Sequence, residues 1–489
     1  MNSVVDAVVG INDIYWYLVI ALLVIAGLTF TIWSLAVQVR YIPEMFRTIV
    51  ERPSGARGDD SISPFRAFTI SAASRVGTGN VAGVAVAISL GGPGAVFWMW
   101  MLALIGGATA FVESTLAQLY KVRGGDSYVG GPAYYIRDGL RLPWLAGAFA
   151  VIITITYGFV FNSVQANSIS ASIQANVGGD STMTAWVVGI LLAIVTGAVI
   201  FGGVRRVSAV TEIIVPLMAV AYLVVALVVV AINLEHVPGM FALIVEHALG
   251  FREIAGAALG AALMQGMRRG LFSNEAGMGS VPNAAATASV SHPVKQGLVQ
   301  ALGVYFDTIL VCSATAFIIL LSDPSFGLDN PEGISLTQNA LQGQVGAWAG
   351  PFLSIVIFFL AWSSVLGNTY YGEANIRFLS GSRRMVTGFR ALVLLCVVGG
   401  SLGSVALVWS LADLFMGVMA TINLIAIIPL GGLAMALLKD YSQQKAKGLN
   451  PVFRRSTLPR ARGVTLWGDD DAESWVDAHA ESSTPESVR

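Results

Sequence analysis

Cysteine, histidine and charge are all scarce in this 489-residue chain, and each shortage removes a class of protein. The two cysteines, Cys312 and Cys396, fall in apolar stretches, so neither a disulfide framework nor a thiolate metal site is available. Of the four histidines, His236, His247, His292 and His479, none shares metal-ligand spacing with a cysteine or carboxylate inside an apolar stretch. Charged residues make up 12% of the chain, against about 25% in soluble domains. With a mean hydropathy of +0.72, the chain reads as an integral membrane protein. Its net charge of −1 gives no footing for a nucleic-acid or polyanionic partner. There is no His-Glu-x-x-His helix and no Gly-x-x-x-x-Gly-Lys-Ser/Thr phosphate loop, so nothing points to an enzyme. Without a nucleotide site, any active transport has to draw on an ion gradient.

What is present is a series of about eleven apolar stretches of spanning length. They lie near 14–38, 66–91, 93–120, 148–173, 183–203 and 208–233, then 254–288, 296–321, 347–373, 387–409 and 411–438. The first is too long for a signal-peptide core and no Lys or Arg precedes it, so it reads as a retained span. The connections alternate in charge. Those at 39–66, 121–147, 204–208, 288–296 and 374–390, together with the tail after 438, carry all but four of the 28 Lys and Arg residues. The connections near 1–14, 174–182, 322–346 and 410 carry none, and 234–253 carries only Arg252. The positive-inside rule predicts a cytoplasmic C-terminus, an external N-terminus and a multi-pass protein of the cell membrane. Segment 234–253 places Val237, Met240, Phe241, Ile244 and Ala248 at helical spacing, which fits a short external amphipathic helix or an ordered cap. The tail 439–489, basic and then acidic from Asp469, reads as disordered.

Two of the apolar stretches are interrupted. Ser74 to Gly83 holds an arginine, three glycines, a threonine and an asparagine in the middle of a span, and Gly266 to Pro282 is broken in the same way. Glycines this dense ease unwinding, and unwound backbone at membrane depth persists only where it lines a cavity or a packed interior. Two interrupted spans in corresponding places of two halves point to a midplane binding site, and Gly79 and Gly279 stand 200 positions apart. A small-residue packing face is the plainer alternative. The remaining arginines, Arg75, Arg268 and Arg269, sit in these two stretches and require partners. Glu113, Glu212, Glu275, Asp307 and Glu373 are the candidates.

A broken helix offers N–H groups to an anion and carbonyls to a cation. Thr78, Gly79 and Asn80 would supply the former. The carbonyls of Ala73 and Val76 would supply the latter, with hydroxyls from Ser363 and Ser364. Those serines could equally bond back to their own helix. Gln165, with Asn162 and Asn167, is a polar group inside a span that must face the interior, for ligand or for helix packing. Phe272, Met278 and Trp362 either wall a small side-chain pocket or pack the bundle.

Val76-Gly77-Thr78-Gly79-Asn80-Val81-Ala82-Gly83 and Arg269-Gly270-Leu271-Phe272-Ser273-Asn274-Glu275-Ala276-Gly277-Met278-Gly279-Ser280 closely resemble the alanine or glycine:cation symporter family. Gly91 to Trp100, Val164 to Ser168 and Tyr370 to Glu373 look like further family blocks, and the resemblance runs from about residue 15 to 440. It implies sodium-coupled import of small neutral amino acids, alanine and glycine, by alternating access, with sodium as coupling ion, no organic cofactor and no obligate protein partner. It also implies an all-α membrane fold of the leucine-transporter type. That fold would comprise an extra first span and loop (1–65), two inverted five-helix repeats (66–233 and 254–438) and an external connection (234–253). By resemblance, Thr78 and Gly79 would hold the substrate carboxylate, and Ala73, Val76, Ser363 and Ser364 would hold sodium. Gln165, the unwound Phe272, Ser273, Asn274, Gly277, Met278 and Gly279, and Trp362 and Leu366 would complete the amino-acid site. Asn368 departs from the bulky aromatic expected after the glycine and leaves pocket size open. A proton-coupled or sodium-independent carrier, a channel and a sensor are the alternatives; a channel needs no occluded site and a sensor needs a signalling domain.

Overall fold

The computed structural model describes residues 2–53, 62–124, 127–177, 181–250, 256–324, 326 and 333–468. Helix α1 (Asn2–Trp33) is followed by the short α2 (Ile42–Ile49), then by α3 (Pro64–Arg75) and α4 (Gly79–Gly91), the two pieces of one interrupted stretch. Next come α5 (Gly94–Leu119), a hairpin of β1 (Val122–Arg123) and β2 (Tyr128–Val129), α6 (Pro132–Asp138), α7 (Pro143–Val177), α8 (Ser181–Ile200) and α9 (Gly203–Ile232). The second half holds α10 (Val237–Ala248), α11 (Gly256–Asn274), α12 (Pro282–Ala285), α13 (Pro293–Leu320) and α14 (Ile334–Val345). Helices α15 (Ala349–Leu379), α16 (Arg383–Leu402) and α17 (Val405–Ala446) complete it. Among the described residues nine helices are long and apolar enough to cross a membrane: α1, α5, α7, α8, α9, α13, α15, α16 and α17. The two interrupted stretches lie between them.

Local chemistry sets the interruptions. Helix α3 starts on Ser63, whose side chain accepts from the Arg66 amide, with Pro64 in the first turn. It ends when Val76 leaves the helical region, and α4 resumes with a π-spaced turn over Gly79–Gly83. Helix α11 ends at Asn274, where Glu275, Gly277 and Gly279 all take positive φ (57°, 88° and 79°), a conformation glycine adopts without strain. Both interruptions are wholly buried. They lie against α5 and α13, whose backbones meet closely at Gly297: a β-carbon there would sit 2.8 Å from the Phe111 carbonyl oxygen.

Helix α10 buries Met240, Ile244 and Ala248 and runs so close to the start of α5 that a β-carbon on Gly94 would lie 2.6 Å from the Ala248 nitrogen. The expectation of a disordered tail from residue 439 is corrected through residue 468. Helix α17 continues to Ala446, and the chain beyond it packs back onto the molecule with Phe453, Leu458, Ala461 and Trp467 buried. Apolar anchors with long-range partners order this segment where composition alone argued against it. The acidic run from Asp469 lies outside the described residues. Gly399 to Gly403 reads Gly-x-Ser-x-Gly but closes α16, and Ser401 Oγ bonds the Val397 carbonyl at 3.1 Å, so it forms no strand-to-helix nucleophile turn.

Candidate functional site

The break between α3 and α4 is held open by side chains. The Gly77 amide donates to Asn80 Oδ1 at 2.9 Å, and the Thr78 amide donates to Gln165 Oε1, from α7, at 3.1 Å. Amides that an α-helix would leave unpaired are thus held by carboxamide oxygens, acceptors that a carboxylate can replace. Helix α15 closes the other side. Ser364 Oγ fills the space where a Gly77 β-carbon would stand, and a β-carbon on Gly367 would lie 2.9 Å from the Ser74 nitrogen. Ser363 and Ser364 both donate to the Leu360 carbonyl, at 2.7 and 3.1 Å. A hydroxyl that gives its proton to its own helix keeps its lone pairs, so this bonding leaves both oxygens able to face a cation. Ala73 and Val76 are buried at the end of α3, within the same region.

The second break meets the first at Phe272 and Ser273. A β-carbon on Gly79 would lie 3.0 Å from the Phe272 ring and 3.2 Å from Ser273 Cα. The Phe272 ring packs between Phe161 and Trp409, with centroids 4.6 and 4.8 Å away, and Trp409 also covers Gly83. Asp307, on the π-spaced stretch of α13, joins the two breaks: Asn80 Nδ2 donates to its Oδ1 and Ser273 Oγ to its Oδ2, each at 2.7 Å, with Thr308 Oγ1 at 3.0 Å. Cys312 Sγ lies 3.3 Å from Asn80 Nδ2 and 3.1 Å from Ser273 Oγ. From sequence Asp307 stands out as a candidate arginine partner and, for a proton-coupled carrier, as a candidate proton site; a carboxylate in the middle of an apolar stretch is the signal.

The rest of the second break does different work. Glu113, on α5, accepts from the Gly277 and Gly279 amides at 3.1 Å each and from Asn423 Nδ2 at 2.7 Å. The structure therefore engages Gly277 and Gly279 with an internal carboxylate rather than leaving their amides open to a ligand. Buried Met278 lies between them, and Asn274 caps the turn by accepting from the Ala276 amide. Glu275 accepts from Ser74 Oγ and Ser280 Oγ at 2.7 Å each, and Ser74 Oγ also reaches Asn368 Oδ1 at 2.7 Å. Asn368, the residue in doubt, belongs to this polar link between α3, α15 and the second break.

Trp362 and Leu366 require correction as pocket residues. They share the opposite face of α15 from Ser364 and Asn368, in an apolar cluster with Val199, Ile200, Val207 and Leu394, and Trp362 Nε1 bonds Thr196 Oγ1 at 3.2 Å. Asn167 likewise serves helix packing, donating to the Gly400 and Gly403 carbonyls. The partners of Arg268 and Arg269 differ from the candidates, whereas three of the candidates, Glu113, Glu275 and Asp307, lie within electrostatic reach of Arg75. Arg269 pairs with Asp413 and lies over the Trp409 ring at 4.6 Å, and Arg268 pairs with Asp13 at 2.7 Å. Glu212 instead pairs with Arg66, and Glu373 with Arg377 and Arg390. Arg75 donates to the Gln300 carbonyl at 3.3 Å.

Two interrupted helices packed against each other inside a bundle of spanning helices, with polar groups converging on the breaks, define a multi-pass membrane carrier. The fold is that of MhsT, solved in complex with L-phenylalanine: the TM-score is 0.52 at 15% identity, over 88% of this chain and 95% of that one. The chain belongs to the sodium:alanine symporter family, whose model matches residues 1–455. It is a transporter and not an enzyme, from a family of sodium-coupled amino-acid carriers. Relatives include the probable sodium/glutamine symporter GlnT of Bacillus subtilis, 50% identical over 97% of this chain and 98% of its own. The amino-acid carrier protein AlsT of the same organism is 49% identical over 97% and 100%. The sodium/alanine symporter AgcS of Methanococcus maripaludis is 36% identical over 90% and 97%.

Proposed function

We propose that this protein imports a small neutral amino acid, alanine or glycine, together with sodium, by alternating access around the paired breaks. The observation that carries the reading is the meeting of Gly79 with Phe272 and Ser273 beside the Thr78 amide, where a carboxylate can take the place of the Gln165 oxygen. Thr78, Gly79 and Asn80 bind the substrate carboxylate, Gln165 orients it, and Phe272 closes over it. Ala73, Val76, Ser363 and Ser364 coordinate sodium. The nine long helices and the two interrupted ones give eleven crossings, arranged as an extra first span and two inverted repeats over 66–233 and 254–438. The charge alternation supports an external N-terminus and a cytoplasmic C-terminus in the cell membrane.

A second reading, glutamine as substrate, is favoured by the 50% identity to a relative described as a probable sodium/glutamine symporter. Uptake of radiolabelled alanine, glycine and glutamine into proteoliposomes under sodium, proton or no gradient decides between them. Alanine accumulation with sodium alone is the expected result. Glutamine accumulation without alanine would replace the substrate, and accumulation driven by protons alone would overturn the sodium assignment.

A further inference from the structure

Beyond α17 the chain turns at Gly448 (φ +75°) and forms a strap across the end of the bundle that carries most of the basic residues. Its first half pairs with the lead-in to α13. The Phe453 amide donates to the Ser291 carbonyl at 2.9 Å, Ser291 Oγ donates to the Pro451 carbonyl at 2.8 Å, and Gln444 clamps both the N–H and the C=O of Val452 at 2.9 Å. Its middle is held by Arg455, which bonds the Leu458 and Ala461 carbonyls. The far end returns so that the Trp467 ring lies 5.4 Å from that of Phe453, and Trp467 Nε1 donates to the Gln118 carbonyl at 2.9 Å.

The two ends of the strap reach Glu51 and Ile62, both ahead of α3 in the chain. At the first, Asn450 Oδ1 accepts from Lys295 Nζ at 2.8 Å, and the same ammonium holds Glu51 at 2.6 Å. At the second, Trp467 and Tyr128 enclose Lys121 Nζ, at 5.1 and 4.2 Å from the ring centroids. That ammonium donates to the Ala288 carbonyl at 2.9 Å, and Gln118 Nε2 donates to the same oxygen at 3.0 Å. Ala288 is bridged to Ile62, and the Ser289 amide donates to the Ile62 carbonyl at 3.0 Å, two residues before α3 begins. Glu51 and Ile62 bracket the approach to the first interrupted helix, and each is tied to one end of the strap through a buried lysine.

We infer that residues 447–468 are an inner latch: docked, the strap holds Ile62 against Ala288 and Glu51 against Lys295, and inward opening of the site requires its release. The inference rests on the alternating-access reading. Releasing Trp467 removes the ring that covers Lys121 and frees the Gln118 carbonyl, so the Ile62–Ala288 contact loses its support before any residue at the breaks is touched.

Amide hydrogen exchange on the full-length protein in nanodiscs tests this, with Trp467→Ala at one end and Asn450→Ala, which deletes a single acceptor, at the other. The expected result in both variants is at least tenfold faster exchange at 62–66 and 285–289, unchanged protection in the middle of α5 and α13, and a several-fold faster efflux of preloaded substrate from proteoliposomes. Faster exchange confined to 447–468 would overturn the latch. A uniform loss of protection in Trp467→Ala, with Asn450→Ala identical to the parent, would also overturn it by making the strap only a scaffold. If the parent protein carried no amino acid under any gradient, the transport reading would fail, while the exchange data would still report whether the strap holds the approach to α3.

Discussion

Replacing Gly77 by alanine puts the geometry of the first break under direct test. Gly77 is not among the glycines with positive φ, so alanine meets no backbone penalty there and the effect is purely steric. The added methyl would run into Ser364 Oγ and lie 3.1 Å from both Ser364 Cβ and Gln165 Oε1. Either neighbour must break a hydrogen bond to give way: Ser364 is bonded to the Leu360 carbonyl and Gln165 to the Thr78 amide. Overpacking a buried site of this kind costs about 1–3 kcal/mol, or about 5- to 150-fold in the population of the closed break. Initial uptake rate in proteoliposomes should fall within that range, with a matching loss of thermal stability in detergent. Ser364→Gly removes both of the serine's clashing atoms and costs about 1 kcal/mol of stability as a glycine inside a helix; because it also deletes a proposed sodium ligand, the cycle is read on thermal stability. Against that background Gly77→Ala should be nearly neutral, giving a coupling of about 0.5–3 kcal/mol in a double-mutant cycle. If Gly77→Ala is as harmful without Ser364 as with it, the close approach of α15 to the break is not what limits this position.

Three further outcomes are expected. Glu113→Gln turns an acceptor of the Gly277 and Gly279 amides and Asn423 into a group that is half donor; the buried mismatch should cost about 1–3 kcal/mol, seen as lower thermal stability and uptake that does not recover at saturating substrate. Asp307→Asn keeps the shape that joins Asn80 to Ser273 but removes the charge, so half-saturation for sodium should rise about tenfold or more, and an unchanged sodium dependence would exclude Asp307 from ion coupling. His292 is buried and its imidazole is held below its ordinary value by desolvation, with Asp440 partly offsetting this. A depressed base is neutral in the docked strap and takes up its proton on release, so docking is strongest at neutral pH and weakens as pH falls below about 6.5. Protection factors of 447–468, that is, exchange corrected for the intrinsic pH dependence of amide exchange, should therefore fall between pH 7.5 and 5.5, and His292→Gln should flatten that slope.

The interruptions were legible in sequence because their causes are local. Clusters of glycine and polar side chains inside apolar runs cannot continue a lipid-facing helix wherever they fall, and α3 and α11 stop at Arg75 and Asn274. The charge alternation is likewise a property of the chain read alone. Which residues meet at the breaks was a matter of rotation and long-range contact. Trp362 and Ser363 are neighbours in sequence about 100° apart around α15, and only packing against α8 and α9 turns the tryptophan away from Gly77. Asp413 reaches Arg269 across 144 residues and Trp467 reaches Gln118 across 349, distances over which composition carries no signal. A buried charge or an isolated aromatic states only that it needs a partner; the tertiary fold chose Asp413 for the arginine and bound the C-terminal strap to the approach to α3.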